Sequence, residues 1–240
     1  MKIIDDLFST LSYEAPVRDI RQGTFQTAVL THNCGLASTP HEPGPHHDKT
    51  PIREAGLLIE KNTIALVRMA NSPNPLEAAI GMATINSLIK IEEQRCVELN
   101  AGDLLAEKGR GKKVALVGHF PFVPKLRQAV KELWVVERQP QPGDFAENQV
   151  DRLIPMAEVV GITGAAFTNH TIEHLLGLCK PQAFVIILGG TTPLSPVLFD
   201  YGVDAVSGTQ VVNPEMVLRC VSQGATYRQI KGVRRLTMMR

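Results

Sequence analysis

Histidines, acids and glycines carry whatever chemistry this chain performs, and their spacing suggests three places for it. His170-Thr171-Ile172-Glu173-His174 has the H-x-x-E-H form of an inverted zincin. On a helix, histidines four apart share a face and could grip Zn²⁺, with Glu173 activating a water. A downstream third ligand is poorly supplied, because Glu215 is the only later glutamate. A solvated helix face capped by Asn169 is the plainer expectation. The second place is the polar stretch 38–51 with its upstream neighbours, which contains His32, Cys34, His41, His46 and His47. Imidazoles and a thiolate suit a borderline-soft cation, although their irregular spacing also fits a solvated loop.

The third place is spread along the second half. Short apolar runs there end in Gly118-His119-Phe120-Pro121, in Glu137 and then Asp144, in Thr163-Gly164 and then Asn169, in Gly189-Gly190-Thr191-Thr192, and in Ser207-Gly208-Thr209. In an open parallel sheet, ligands bind beyond the C-terminal ends of the strands. The expectation is a crevice lined by Gly118, His119, Phe120, Glu137, Asp144, Thr163, Gly164, Asn169, Gly189, Gly190, Thr191 and Thr192. Glu137 follows Gly118 by 19 residues, where nucleotide-binding sheets place an acid for ribose hydroxyls. Gly118-His119-Phe120-Pro121-Phe122 is not G-x-G-x-x-G, which argues against a dinucleotide. A nucleoside without a diphosphate, or another heteroaromatic ligand, stays open. As an imidazole, His119 could serve as a proton donor, a proton acceptor or a ligand. Asn74-Pro75-Leu76-Glu77 is a helix-capping arrangement. The electropositive end of that helix is expected to face the same crevice, bringing Asn74 and Glu77 to it.

The elements that must position these residues read as follows. Residues 1–12 suggest a helix; 17–20 and 24–31 suggest strands; 57–59 and 63–69 suggest two more. A helix rich in small residues follows Asn74. Beyond a Gly/Lys-rich connector at 100–113, strand candidates at 114–117, 134–136, 159–162, 183–188 and 203–206 alternate with helices. Their unalternating apolar runs imply a parallel sheet covered on both faces. The fold class is therefore α/β, with residues 1–100 as a small α+β domain and 101–240 as a Rossmann-like domain.

Composition narrows the function. The 240 residues carry 25 basic and 24 acidic side chains, a net charge of +1, with 5% aromatics. Neither a basic face for duplex nucleic acid nor a stacking platform for single strands is indicated. Acids in MKIIDDLFSTL stand where a secretory signal would be basic, and no long apolar run follows, so a cytoplasmic chain with no membrane partner is expected. The four cysteines lack C-x-x-C spacing and read as reduced thiols.

Asn74–Gly81, Val117–Pro121, Ile162–Gly164, Gly189–Pro196 and Phe199–Asp204 together resemble the motifs of a family of unknown function labelled "putative heavy-metal chelation". The resemblance spans essentially the whole chain. It implies an enolase-N-terminal-like domain, then a Rossmann-like domain, with a deep crevice between them. It also implies a part in handling or making metal chelators, including cobalamin-type tetrapyrroles. The leading expectation is a crevice protein for a small polar or heteroaromatic ligand, with a transition-metal ion or metal chelate as the candidate cofactor. The alternatives are a metal-binding or metal-chaperone protein that uses 32–47, and a scaffold for interaction. A homodimer stays open.

Overall fold

Three short strands near the N-terminus, β1 (Asp19–Gln22), β2 (Gln26–Leu30) and β3 (Cys34–Ser38), form an antiparallel meander in that order. The structure is a computed structural model and describes residues 1–40 and 51–240. Helix α1 (Lys2–Ser9) precedes the meander and buries Ile3, Ile4 and Leu7 on one stripe. Helices α2 (Thr63–Arg68) and α3 (Pro75–Leu88) follow it. Asn62 and Asn74 cap them, each side-chain oxygen accepting a backbone N–H from Ala65 and Leu76 respectively.

The small residues of α3 do what their size allows. A Cβ on Gly35 of β3 would lie 2.1 Å from the Ala83 carbonyl oxygen, so strand and helix meet backbone to backbone. The stretches 57–59 and 63–69, expected as strands, are instead a 3₁₀ turn (Leu58–Glu60) and α2. The Asn62 cap and the burial of Thr63, Leu66 and Val67 at helical spacing outweigh the β-branched residues. Cys34–Ser38 supplies the third strand of the meander.

The rest of the chain runs β4 (Cys96–Val97), α4 (Ala101–Lys108), β5 (Lys113–Val117), α5 (Val123–Ala129), β6 (Glu132–Glu137), β7 (Phe145–Ala146), α6 (Val150–Leu153) and β8 (Val159–Thr163). Then come α7 (Ala165–Thr168), α8 (Ile172–Gly177), β9 (Phe184–Leu188), β10 (Ala205–Val211), α9 (Pro214–Ser222) and β11 (Val233–Met239). The strands form one sheet in the order β4-β11-β10-β9-β8-β5-β6-β7. Pairing is parallel from β10 through β7, as the apolar runs predict. Counted from β5, the six parallel strands follow the doubly wound order 3-2-1-4-5-6, with the switch point between β5 and β8. β11 adds an antiparallel edge that the sequence reading lacks, and β4 pairs with β11.

Alternate residues of these strands face two different layers. Ala115, Trp134, Val160, Ile162, Val185 and Ile187 pack with α1, α3 and α7, so the N-terminal segment covers one face of the sheet. Val114, Leu116, Leu133, Val135 and Ile186 pack with α4 and α5 on the other. The meander is itself sandwiched, since Ala28, Cys34 and Leu36 meet Val217, Leu218 and Val221 of α9. This packing sets the end of β3 against the strand tips of the large sheet. None of the described helices is long and apolar enough to cross a membrane.

Candidate functional site

The tip of β9 turns through Gly189, whose φ of 117° is open to glycine at little cost. The loop behind it is gripped from the N-terminal segment. Thr191 Oγ1 accepts the Ser38 N–H at 2.9 Å, and the Thr191 carbonyl accepts Asn86 Nδ2–H at 3.1 Å. Thr192 is buried below this loop, and its hydroxyl has no hydrogen-bond partner among the described residues. Over the loop lies a crevice of about 590 Å³. Thr163, Gly164, Gly189, Gly190 and Thr191 form its floor, and Ser38 closes one side. Phe120 and Phe122 form a wall, their rings 5.2 Å apart and stacked, beside Asn100–Gly102 at the start of α4. Tyr227, Arg228 and Arg235 stand in its lining as well. Gly190 leaves room for Tyr227, since a Cβ there would sit 2.9 Å from the ring. Arg235 stands over the ring of Tyr227 at 5.2 Å.

Among the described residues, Arg228 and Arg235 are the only charged ones in this lining, and neither forms an ion pair. Arg234 and Arg235 are neighbours on β11. On a strand, neighbours point to opposite sides. Arg234 accordingly reaches Glu93 and Glu98, while Arg235 lines the crevice.

A second cavity of about 420 Å³ adjoins the first and shares Phe120, Thr163 and Ala165 with it. It lies at the switch point, lined by Gly118, His119, Glu137 and Asn169 together with Arg138, Glu147, Asp151 and His174. Gly118, at φ 99°, turns the chain so that His119 N–H reaches Glu137 Oε2 at 2.8 Å. Glu137 Oε1 accepts the Arg138 N–H at 2.7 Å, so both carboxylate oxygens brace backbone. Asp144, with a side chain 1% exposed, stands behind His119 with Oδ2 2.7 Å from Nδ1. Asn169 Oδ1 accepts from the Thr171 N–H and hydroxyl. The single expected crevice is thus two abutting cavities.

Asn74 and Glu77 lie at neither. Asn86, the residue of α3 that touches Thr191, is twelve positions beyond Asn74. At 1.5 Å per residue that is about 18 Å along the helix. The end of α3 that meets the strand tips is its C-terminal end. Glu77 instead accepts the Arg53 N–H, Nε–H and Nη2–H and the Ser72 hydroxyl. The Arg53 guanidinium holds its carboxyl at about 2, well below the usual range.

The H-x-x-E-H residues are parted. His170 has φ 61° and precedes α8, and its Nε2–H donates to the Ala70 carbonyl. Glu173 accepts the Ile3 N–H, and His174 Nε2 lies 3.0 Å from Asp151. The two imidazoles therefore engage different neighbours. Among the described residues no group of three or more His, Cys, Asp and Glu could hold a metal ion, so that donor set does not fit a protein-held metal. His41, His46 and His47 lie outside the described residues. Cys34 is buried, and its thiol is pushed up to about 12 by that burial.

Residues 100–240 match the profile of a family described as "Putative heavy-metal chelation", and residues 4–89 match a second profile with the same description. An uncharacterized protein of Methanocaldococcus jannaschii is 28% identical over 185 residues, spanning 73% of this chain and 71% of its own length. A crystal structure of a protein of unknown function from Desulfitobacterium hafniense superposes with a TM-score of 0.86 at 24% identity, covering 100% of this chain and 98% of that one. Another from Pyrococcus horikoshii gives 0.83 at 18% identity with the same coverage. These likenesses establish the fold.

Proposed function

This chain belongs to the "Putative heavy-metal chelation" family, and from that premise we propose that its larger crevice binds a small organic anion of the chelating kind, free or with its metal ion. The observation that carries this reading is the pair Arg228 and Arg235, which among the described residues are the only charges lining a 590 Å³ crevice and have no ionic partner. A guanidinium offers a planar fork of donors to a carboxylate or phosphate. Phe120, Phe122 and Tyr227 add flat apolar surface for a planar molecule. Asn100 caps α4, so the positive end of that helix dipole borders the same space. The volume lies in the ordinary range for small-ligand pockets. Chelators are polydentate anions, and the metal here is cargo carried by the ligand.

Melting temperatures measured with pyridine-2,6-dicarboxylate, its Ni²⁺ complex, citrate and a diamine test the proposal. A ligand selective for the folded state raises the melting temperature by mass action. The anions should raise it, and Arg228→Ala with Arg235→Ala should abolish the rise. If no anion shifts the melting temperature at millimolar concentration, or the shift survives both substitutions, the reading fails.

A further inference from the structure

The smaller cavity differs from its neighbour in chemistry. Among the described residues its lining holds three carboxylates, Glu137, Glu147 and Asp151, against one arginine, Arg138, which is drawn to Glu147 at 3.4 Å, while Asp151 lies 3.0 Å from His174. Set into that lining is an oriented imidazole. The Asp144 carboxylate can only accept, so the Nδ1 of His119 carries the proton, and the Nε2 lone pair is left without a partner among the described residues. The Asp144 side chain is almost wholly buried, and its Oδ2 also accepts the Gln141 N–H at 3.1 Å, which fixes the carboxylate behind the ring. His119 is a lining residue of the cavity, and an acid that holds one nitrogen of a histidine leaves the other as an oriented hydrogen-bond acceptor. The cavity's place, beyond the tips of β5 and β8, is where doubly wound sheets take ligands.

We propose that this cavity is a second ligand site, for a small amine, and that His119, positioned by Asp144, accepts a hydrogen bond from the amine's ammonium group. The ammonium enters beside the carboxylates and donates one N–H to Nε2. The proposal stands apart from the reading of the larger crevice, because the two cavities have opposite charge and different polar groups.

The test follows the histidine ring signals of the full chain by NMR, with the His119 signal assigned from His119→Gln. The probes are 1,3-diaminopropane and, separately, pyridine-2,6-dicarboxylate. The diamine should move the His119 signal, and His119→Gln should weaken diamine binding by about tenfold, the loss of one hydrogen bond to a charged group. Asp144→Asn should keep the fold and yet shift the ring nitrogens away from the Nδ1–H tautomer, a signature that loss of packing alone would not give. The dicarboxylate should leave diamine affinity unchanged, whatever it does at the arginines. A His119 signal that ignores millimolar diamine, or equal diamine affinity in His119→Gln, would overturn the proposal.

Discussion

Glu77 is 1% exposed and receives three hydrogen bonds from Arg53 and one from Ser72. It clasps the chain at Arg53 to the start of α3, a structural duty in place of the binding one its capping motif suggested. The pH dependence of the clasp follows from its depressed pKa. In the unfolded chain Glu ionises near 4.3, so the clasp contributes fully above about that pH. It fades as pH falls towards the folded value of about 2. Glu77→Gln should cost about 2 kcal/mol at neutral pH, with the deficit shrinking between roughly pH 4 and 2. Urea unfolding at several pH values measures this, and a deficit that stays constant would contradict the account. At this scale the sequence was legible for Gly118, His119, Thr163 and Gly190, which end or follow strands that announce themselves. It was opaque for Arg235, whose role depends on the side of a strand, and for Glu77, whose partner Arg53 is 24 residues away.

Helices and strands were legible where burial is total. The parallel strands read as apolar runs because both of their faces are covered. The misread stretch at 57–69 has apolar residues that satisfy either period, and the Asn62 cap decided for helix. β11 was hidden by its exposed start, although Leu236, Thr237 and Met238 are all buried once β4 covers the edge. The contact between β3 and α3 gives the sharpest prediction among the elements. In Gly35→Ala the new methyl would lie 2.1 Å from the Ala83 oxygen and 2.3 Å from the Ser87 nitrogen, both backbone atoms. Strand and helix would have to separate, at a cost of about 3 kcal/mol, the upper part of the range for overpacking. Gly177→Ala at the end of α8 meets nothing within 4 Å and should be neutral or stabilising by up to about 1 kcal/mol. Denaturant midpoints of the two variants should therefore move in opposite directions or differ widely. Equal midpoints would contradict the packing described.

In the whole molecule, the N-terminal segment covers one face of the doubly wound sheet, and the end of its β3 reaches the loop at Thr191. The larger crevice is therefore assembled from distant parts of the chain: Ser38, the tips of β8 and β9, the start of α4, and the C-terminal Tyr227, Arg228 and Arg235. The sequence reading anticipated convergence at the strand tips. It did not anticipate the division into an arginine-lined cavity and a carboxylate-lined one, because which charged side chains share a cavity depends on the packing of distant elements. Isothermal titration calorimetry of pyridine-2,6-dicarboxylate against the wild-type chain, Arg228→Ala and Arg235→Ala tests the central claim most directly. Each substitution should weaken binding about tenfold, as removal of a charge-assisted contact does, and added salt should narrow the difference. Binding of equal strength in all three proteins, or none to the wild type, would contradict it.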